Sequence, residues 1–177
     1  MSGHFFNLLE SINLTADEPD KIRSFLRNLE DQFDATKFTD TEWKFIHEKL
    51  VEKVIPALKV HITSKQNQKD NILKDWLELL RKHVIFDGIF LNKQLSDYLS
   101  LAITAFNQGS LNSIRVNGLE LLQTLFSQKG QEELNREDTE ALENFVKSGL
   151  LGSLTKTTQP SPSLILIINS TLGHLCK

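Results

Sequence analysis

Apolar residues recur at intervals of three and four along nearly the whole 177-residue chain, and no segment alternates convincingly at period two. Such spacing gathers apolar side chains on one face of a helix, so an all-α protein is expected. Ile22, Phe25, Leu26, Leu29 and Phe33 form one stripe, and Trp43, Ile46, Leu50, Val54 and Leu58 a second. Ile72, Leu73, Trp76, Leu77, Leu80 and Val84 make a third, followed by Leu91, Leu95, Tyr98, Leu99, Ala102 and Phe106. The punctuation between stripes is helical as well. Acids sit at expected helix starts, in Asp17, Glu18 and Asp20 and in Glu137 and Asp138, where they suit the positive end of the helix dipole. Thr39 followed by Glu42 is a capping-box pattern, and Gly109 fits the left-handed position after a helix. Pro56 is expected to kink its helix or split it in two. About eight helices joined by short loops account for the chain.

Two segments are apolar on more than one side. Leu119, Leu121, Leu122, Leu125 and Phe126 crowd one, and residues 164–168, "LILII", leave no polar face on the other. A helix hidden on most sides belongs in the middle layer of a stack.

The closing segment "ENFVKSGLLGSLTKTTQPSPSLILIINSTLGHLCK" resembles one armadillo-type repeat. Gly149 takes the place of the turn glycine, "LLGSL" that of the middle helix, and residues 163–176 that of the long inner helix. "NQGSLNSIRVNGLELLQTLF" has a similar cadence. The resemblance covers residues 90–177, while residues 1–85 resemble the looser HEAT-like pairing. It implies one repeat domain over 1–177, an all-α, right-handed α-solenoid of armadillo/HEAT-like helical hairpins. The runs "DNILKDWLELLRKHVIF" and "LSLAITAFNQGSLNSIRVNGLELLQTLF" are also similar in cadence to the N-terminal helical region of tuberin-like and Ral GTPase-activating-protein alpha subunits. That likeness implies a non-catalytic piece of a large cytoplasmic scaffold, within a GTPase-regulating assembly.

A terminal repeat needs a polar outer face for solubility, and "SLILIINSTLGHLCK" supplies none. The expectation is that the natural chain continues past Lys177, this being its N-terminal part. Otherwise a partner protein or a second copy covers Leu164, Ile165, Ile168, Leu172 and Leu175. A second candidate surface is basic: Lys44, Lys49, Lys53, Lys59, Lys74, Arg81 and Lys82 fall on two consecutive helices, with Lys65 and Lys69 between them. Interleaved acids suggest a solvated face, and the sharper alternative is a groove for an acidic peptide or an anionic membrane surface. The net charge of −3 resolves into −5 over residues 1–43, +4 over 44–83 and −2 over 84–177. That basic excess is too small for a nucleic-acid footprint, and membrane contact would be peripheral at most.

Motifs for bond chemistry are lacking. The five histidines form no HExxH pattern or metal-ligand pairing, and no GxGxxG or P-loop occurs, so no metal or cofactor is expected. His47 and His83 are expected in solvent. His174 and Cys176, two apart, would point to different sides of a helix. Trp43 and Trp76 are expected in the core. Ser161, before Pro162, is a candidate for a proline-directed phosphate, or simply a capping residue in a turn. The single Cys176 excludes an internal disulfide and fits a reducing, cytoplasmic compartment. The expectation is a non-enzymatic protein–protein interaction scaffold, with a stand-alone adaptor docking through basic residues 44–83 as the alternative.

Overall fold

In the computed structural model, residues 3–11, 19–35, 37–64, 70–85, 92–109, 111–128, 134–156 and 162–175 are described. They form eight continuous helical runs and, among the described residues, no strand. The runs are α1 (Gly3–Glu10), α2 (Pro19–Ala35), α3 (residues 40–63), α4 (70–85), α5 (Asn92–Gln108), α6 (Asn112–Gln128), α7 (136–156) and α8 (Pro162–Leu175). Three of them, α3, α4 and α7, contain π-helical stretches, at Leu50–Val54, Leu80–Ile85 and Phe145–Leu150.

The local signals act as their chemistry dictates. Thr39 and Glu42 close a reciprocal capping box at the start of α3, the Thr39 N–H donating to Glu42 Oε2 at 2.7 Å. Asn135 caps α7 by accepting from the Asp138 N–H at 2.7 Å. The α2 stripe turns inward at Leu26, Leu29 and Phe33. Trp43 and Trp76 are both in the core, Trp76 without any exposure.

Helices make contact in a regular order. Consecutive helices pack in α1–α2, α3–α4 and α5–α6. Helices one apart in the chain also pack: α1 on α3, α3 on α5 and α5 on α7, then α2 on α4, α4 on α6 and α6 on α8. Each row therefore grows by adding every second helix. Helix α6 meets α4, α5 and α8, and buries Ile114, Leu119, Leu121, Leu122 and Leu125 against them. Its crowding with apolar residues is thus explained, because it has neighbours on three sides. At Gly118 a Cβ would lie 2.9 Å from the Ala102 carbonyl oxygen and 2.9 Å from the Ala105 Cβ, so α5 and α6 approach closely there.

Four expectations are corrected. Gly149 makes no turn: it lies inside α7, where a Cβ would sit 2.8 Å from the Phe145 ring and 2.9 Å from Asn107 Oδ1. The glycine is needed for close packing, and "LLGSL" continues the same helix. Pro56 does not split α3, which runs unbroken from residue 40 to 63 with a π-helical stretch at residues 50–54 just ahead of the proline. Gly109 is not left-handed; its Cβ would strike the Ala105 carbonyl oxygen, to which its own N–H donates at 3.0 Å. Helix α8 is not hidden on most sides, since Leu166 is 72% exposed.

Candidate functional site

Helix α8 opens at Pro162, whose fixed φ suits a first turn. The helix then packs on α6. Ile168 is fully buried, and Thr171, 1% exposed, accepts from Gln123 Nε2 at 2.8 Å while donating to the Ile167 carbonyl at 2.8 Å. Of the residues expected at a partner interface, Ile168 is therefore already used within the chain, and Ile165 and Leu172 are half-buried. The side chains of Leu164 and Leu175 lie outside the described residues. Among the described side chains of α8, the large apolar one offered to solvent is Leu166, which the helical spacing of 165, 168 and 172 bypasses. That spacing marks the inward stripe and not the free one.

The basic residues do not converge. Lys49 and Lys53 reach Glu10 on α1 at 2.9 and 3.0 Å. Lys59 donates to Ser100 Oγ on α5 at 2.7 Å, Arg81 lies 3.8 Å from Glu120 on α6, and Lys82 lies 3.5 Å from Glu78. Lys44 and Lys74 stay exposed. Lys74 and Lys82 join Arg23 and Arg27 in a groove of about 510 Å3 between α2 and α4, where Glu30, Asp75 and Glu78 oppose them. Burial raises the Asp75 pKa in that groove, with Lys74 and Arg23 working against the shift.

Both histidines expected in solvent are structural. His47 is fully buried, and its Nδ1 meets the Tyr98 hydroxyl at 2.8 Å. His83 lies between Glu30 at 3.2 Å and Asp34 at 3.3 Å, and it stacks on Phe33 with ring centroids 6.1 Å apart. The spacing of neighbours along one helix carries no trace of either contact, because the partners lie on other helices. Among the described residues no group of three or more His, Cys, Asp or Glu is placed to hold a metal ion. Cys176 and Ser161 lie outside the described residues, as does the side chain of His174. No helix among the described residues is long and apolar enough to cross a membrane.

A second cleft, of about 570 Å3, opens between α5, α6 and the π-helical stretch of α7. Asn107, Asn144 and Ser148 are exposed along it, Gly149 and Ser153 line it, and Arg115 is the charged side chain among its described residues. The guanidinium is held in place on two sides. Its Nε donates to the Phe106 carbonyl at 3.0 Å, a terminal nitrogen donates to Ser153 Oγ at 3.1 Å, and the group lies 4.6 Å from the centre of the Phe106 ring. Arg115 belonged to none of the surfaces expected from the sequence; its place as the one basic residue of a helix rich in buried leucines was the available signal.

No protein-family model matches the chain, and no curated protein or solved structure is significantly similar to it.

Proposed function

We propose that this chain is a segment of a right-handed α-solenoid that acts as a non-enzymatic protein–protein interaction scaffold. The carrying observation is the pair of helix rows, in which every helix packs on the one two places along. Stacking of this kind buries each hairpin against its neighbours and leaves long faces for docking. The two-helix unit favours HEAT-like pairing along the whole chain over an armadillo-like second half, because residues 136–156 form one helix where a three-helix repeat needs two. Helix α8, with Leu166 outward, is the first docking face. Service in a GTPase-regulating assembly rests on the cadence of the sequence alone.

The basic-surface alternative finds less support. Lys49 and Lys53 share the Glu10 carboxylate on α1, Arg81 faces Glu120 on α6, and Lys82 faces Glu78 on its own helix. One experiment separates the two. Tagged wild-type chain and Leu166→Asp are used to recover bound proteins at low and high salt, beside co-sedimentation with anionic vesicles. A scaffold retains proteins whatever the salt, and Leu166→Asp releases a defined subset of them. Vesicle binding that collapses with salt, with no protein retained, overturns the scaffold in favour of the basic adaptor.

A further inference from the structure

The Arg115 cleft has a charge balance unlike that of the groove between α2 and α4. Among the described residues no acidic side chain lines it and no carboxylate pairs with Arg115. A half-buried cation is ordinarily matched by an anion, because burial removes water that would otherwise solvate the charge. Here burial lowers the Arg115 pKa with no opposing charge to restore it. The two hydrogen bonds to Phe106 and Ser153 fix the plane of the guanidinium, and its remaining N–H groups are left for an acceptor in the cleft. The fork is therefore oriented before any ligand arrives, which lowers the ordering cost of binding.

We propose that the cleft between α5, α6 and α7 is a carboxylate-binding site, in which Arg115 receives an Asp or Glu side chain from a docked peptide segment. The inference rests on the scaffold reading and names the chemistry of one partner. A single cation matches a monoanionic carboxylate, whereas a phosphate dianion would be left half-neutralised. Asn107, Asn144 and Ser148 surround the charge with groups that both donate and accept, the complement of a peptide backbone. The cleft, at about 570 Å3, is also far larger than a carboxylate, so the acid must be carried on something longer.

The test follows the Arg Nε–H resonances of the 15N-labelled full chain, with the Arg115 signal assigned by its loss in Arg115→Lys. The probe is the capped peptide Ac-Ala-Ala-Glu-Ala-Ala-NH2, taken into the millimolar range suited to a single charged contact. Its Gln counterpart, N-acetylglutamate amide and inorganic phosphate are the comparison ligands. The Glu peptide is expected to shift the Arg115 signal saturably, with the Gln peptide at least about fivefold weaker. The free amino-acid derivative should bind more weakly than the peptide. Ser148→Leu narrows the cleft without touching Arg115, and it should abolish the shift while the remaining spectrum stays folded. Equal response to the Gln peptide, tighter binding of phosphate, tighter binding of the small derivative, or an unaltered shift in Ser148→Leu each overturns the proposal. So does the absence of any saturable shift at Arg115. None of those results touches the association lost in Leu166→Asp, so failure here and failure of the scaffold reading are distinguishable.

Discussion

His47 and Tyr98, 51 residues apart in the chain, meet at 2.8 Å between Nδ1 and hydroxyl, with neither side chain exposed. Their rings cross edge to face at 86°, with centroids 5.7 Å apart. The contact ties α3 to α5 in one row. Breaking it should cost about 1–3 kcal/mol, the usual penalty for a buried polar group that loses its partner. Tyr98→Phe and His47→Leu are each expected to lower the unfolding free energy in urea by that order. The double variant should lose less than the sum, with a coupling of about 1 kcal/mol. Strict additivity would deny the bond any role.

Tyr98 is the one tyrosine of the chain, so ultraviolet titration reports it alone. Burial, and secondarily the charge of Asp97, hold its hydroxyl well above the ordinary value of 10.0. Since the folded value is raised, the folded state favours the neutral hydroxyl. Its contribution is complete below pH 10.0 and declines as pH rises beyond that point. The native protein should therefore show no phenolate band near about pH 11, and the band should emerge only with unfolding. Ordinary titration in the folded state would contradict the burial.

Two glycines on helices should respond in opposite directions to alanine. At Gly118 the new Cβ meets the Ala102 carbonyl and the Ala105 side chain at 2.9 Å, so overpacking should cost about 1–3 kcal/mol. At Gly173 nothing lies within 4 Å of the added carbon. There alanine should stabilise by roughly 0.5–1 kcal/mol through helix propensity. Thermal or urea melts of the two variants decide it; a gain at Gly118→Ala would mean that α5 and α6 are not in close contact.

Glu10 links α1 to α3 through Lys49 and Lys53. Hydrogen bonds from Lys49 first and Lys53 second hold its carboxyl below the ordinary value of 4.5, while Glu10 raises Lys49 above 10.5. For the depressed carboxyl the stabilisation is present above pH 4.5 and fades as pH falls through the lower folded value. The Lys49 contribution is complete below pH 10.5 and fades above it. Glu10→Gln should thus reduce stability at neutral pH and converge with wild type in acid, once pH has fallen below the lowered folded value. A deficit that persists unchanged in acid would point to lost packing in place of lost charge. Because all three groups are solvated, added salt should shrink the neutral-pH difference as well.

What the chain settles locally was legible without any tertiary contact. The stripe through Leu26, Leu29 and Phe33, the Thr39–Glu42 capping box and the place of Trp43 and Trp76 on the apolar faces of their helices depend on residues within a few turns of one another. The number of helices follows from the same local rule. The closing stripe of Ile165, Ile168 and Leu172 was equally visible, but its spacing could not say whether a neighbour within the chain already covers it.

The rest was decided by which helix lies beside which. His47 lies one helical turn from Trp43 and so shares its inward face; what the chain order does not show is the hydroxyl that α5 delivers to it. Gly149 looked like a turn because glycine often is one, yet it serves Phe145 and Asn107, the latter on a different helix. Arg115 became a candidate site once α7 brought Ser153, 38 residues away, to one side of it. Helical periodicity is a property of bonds reaching three and four residues along the chain, so the amino-acid order alone determines where helices form and which face is apolar. Whether that face meets a neighbour, a ligand or water depends on contacts between distant residues, and only the packed rows of helices determine it.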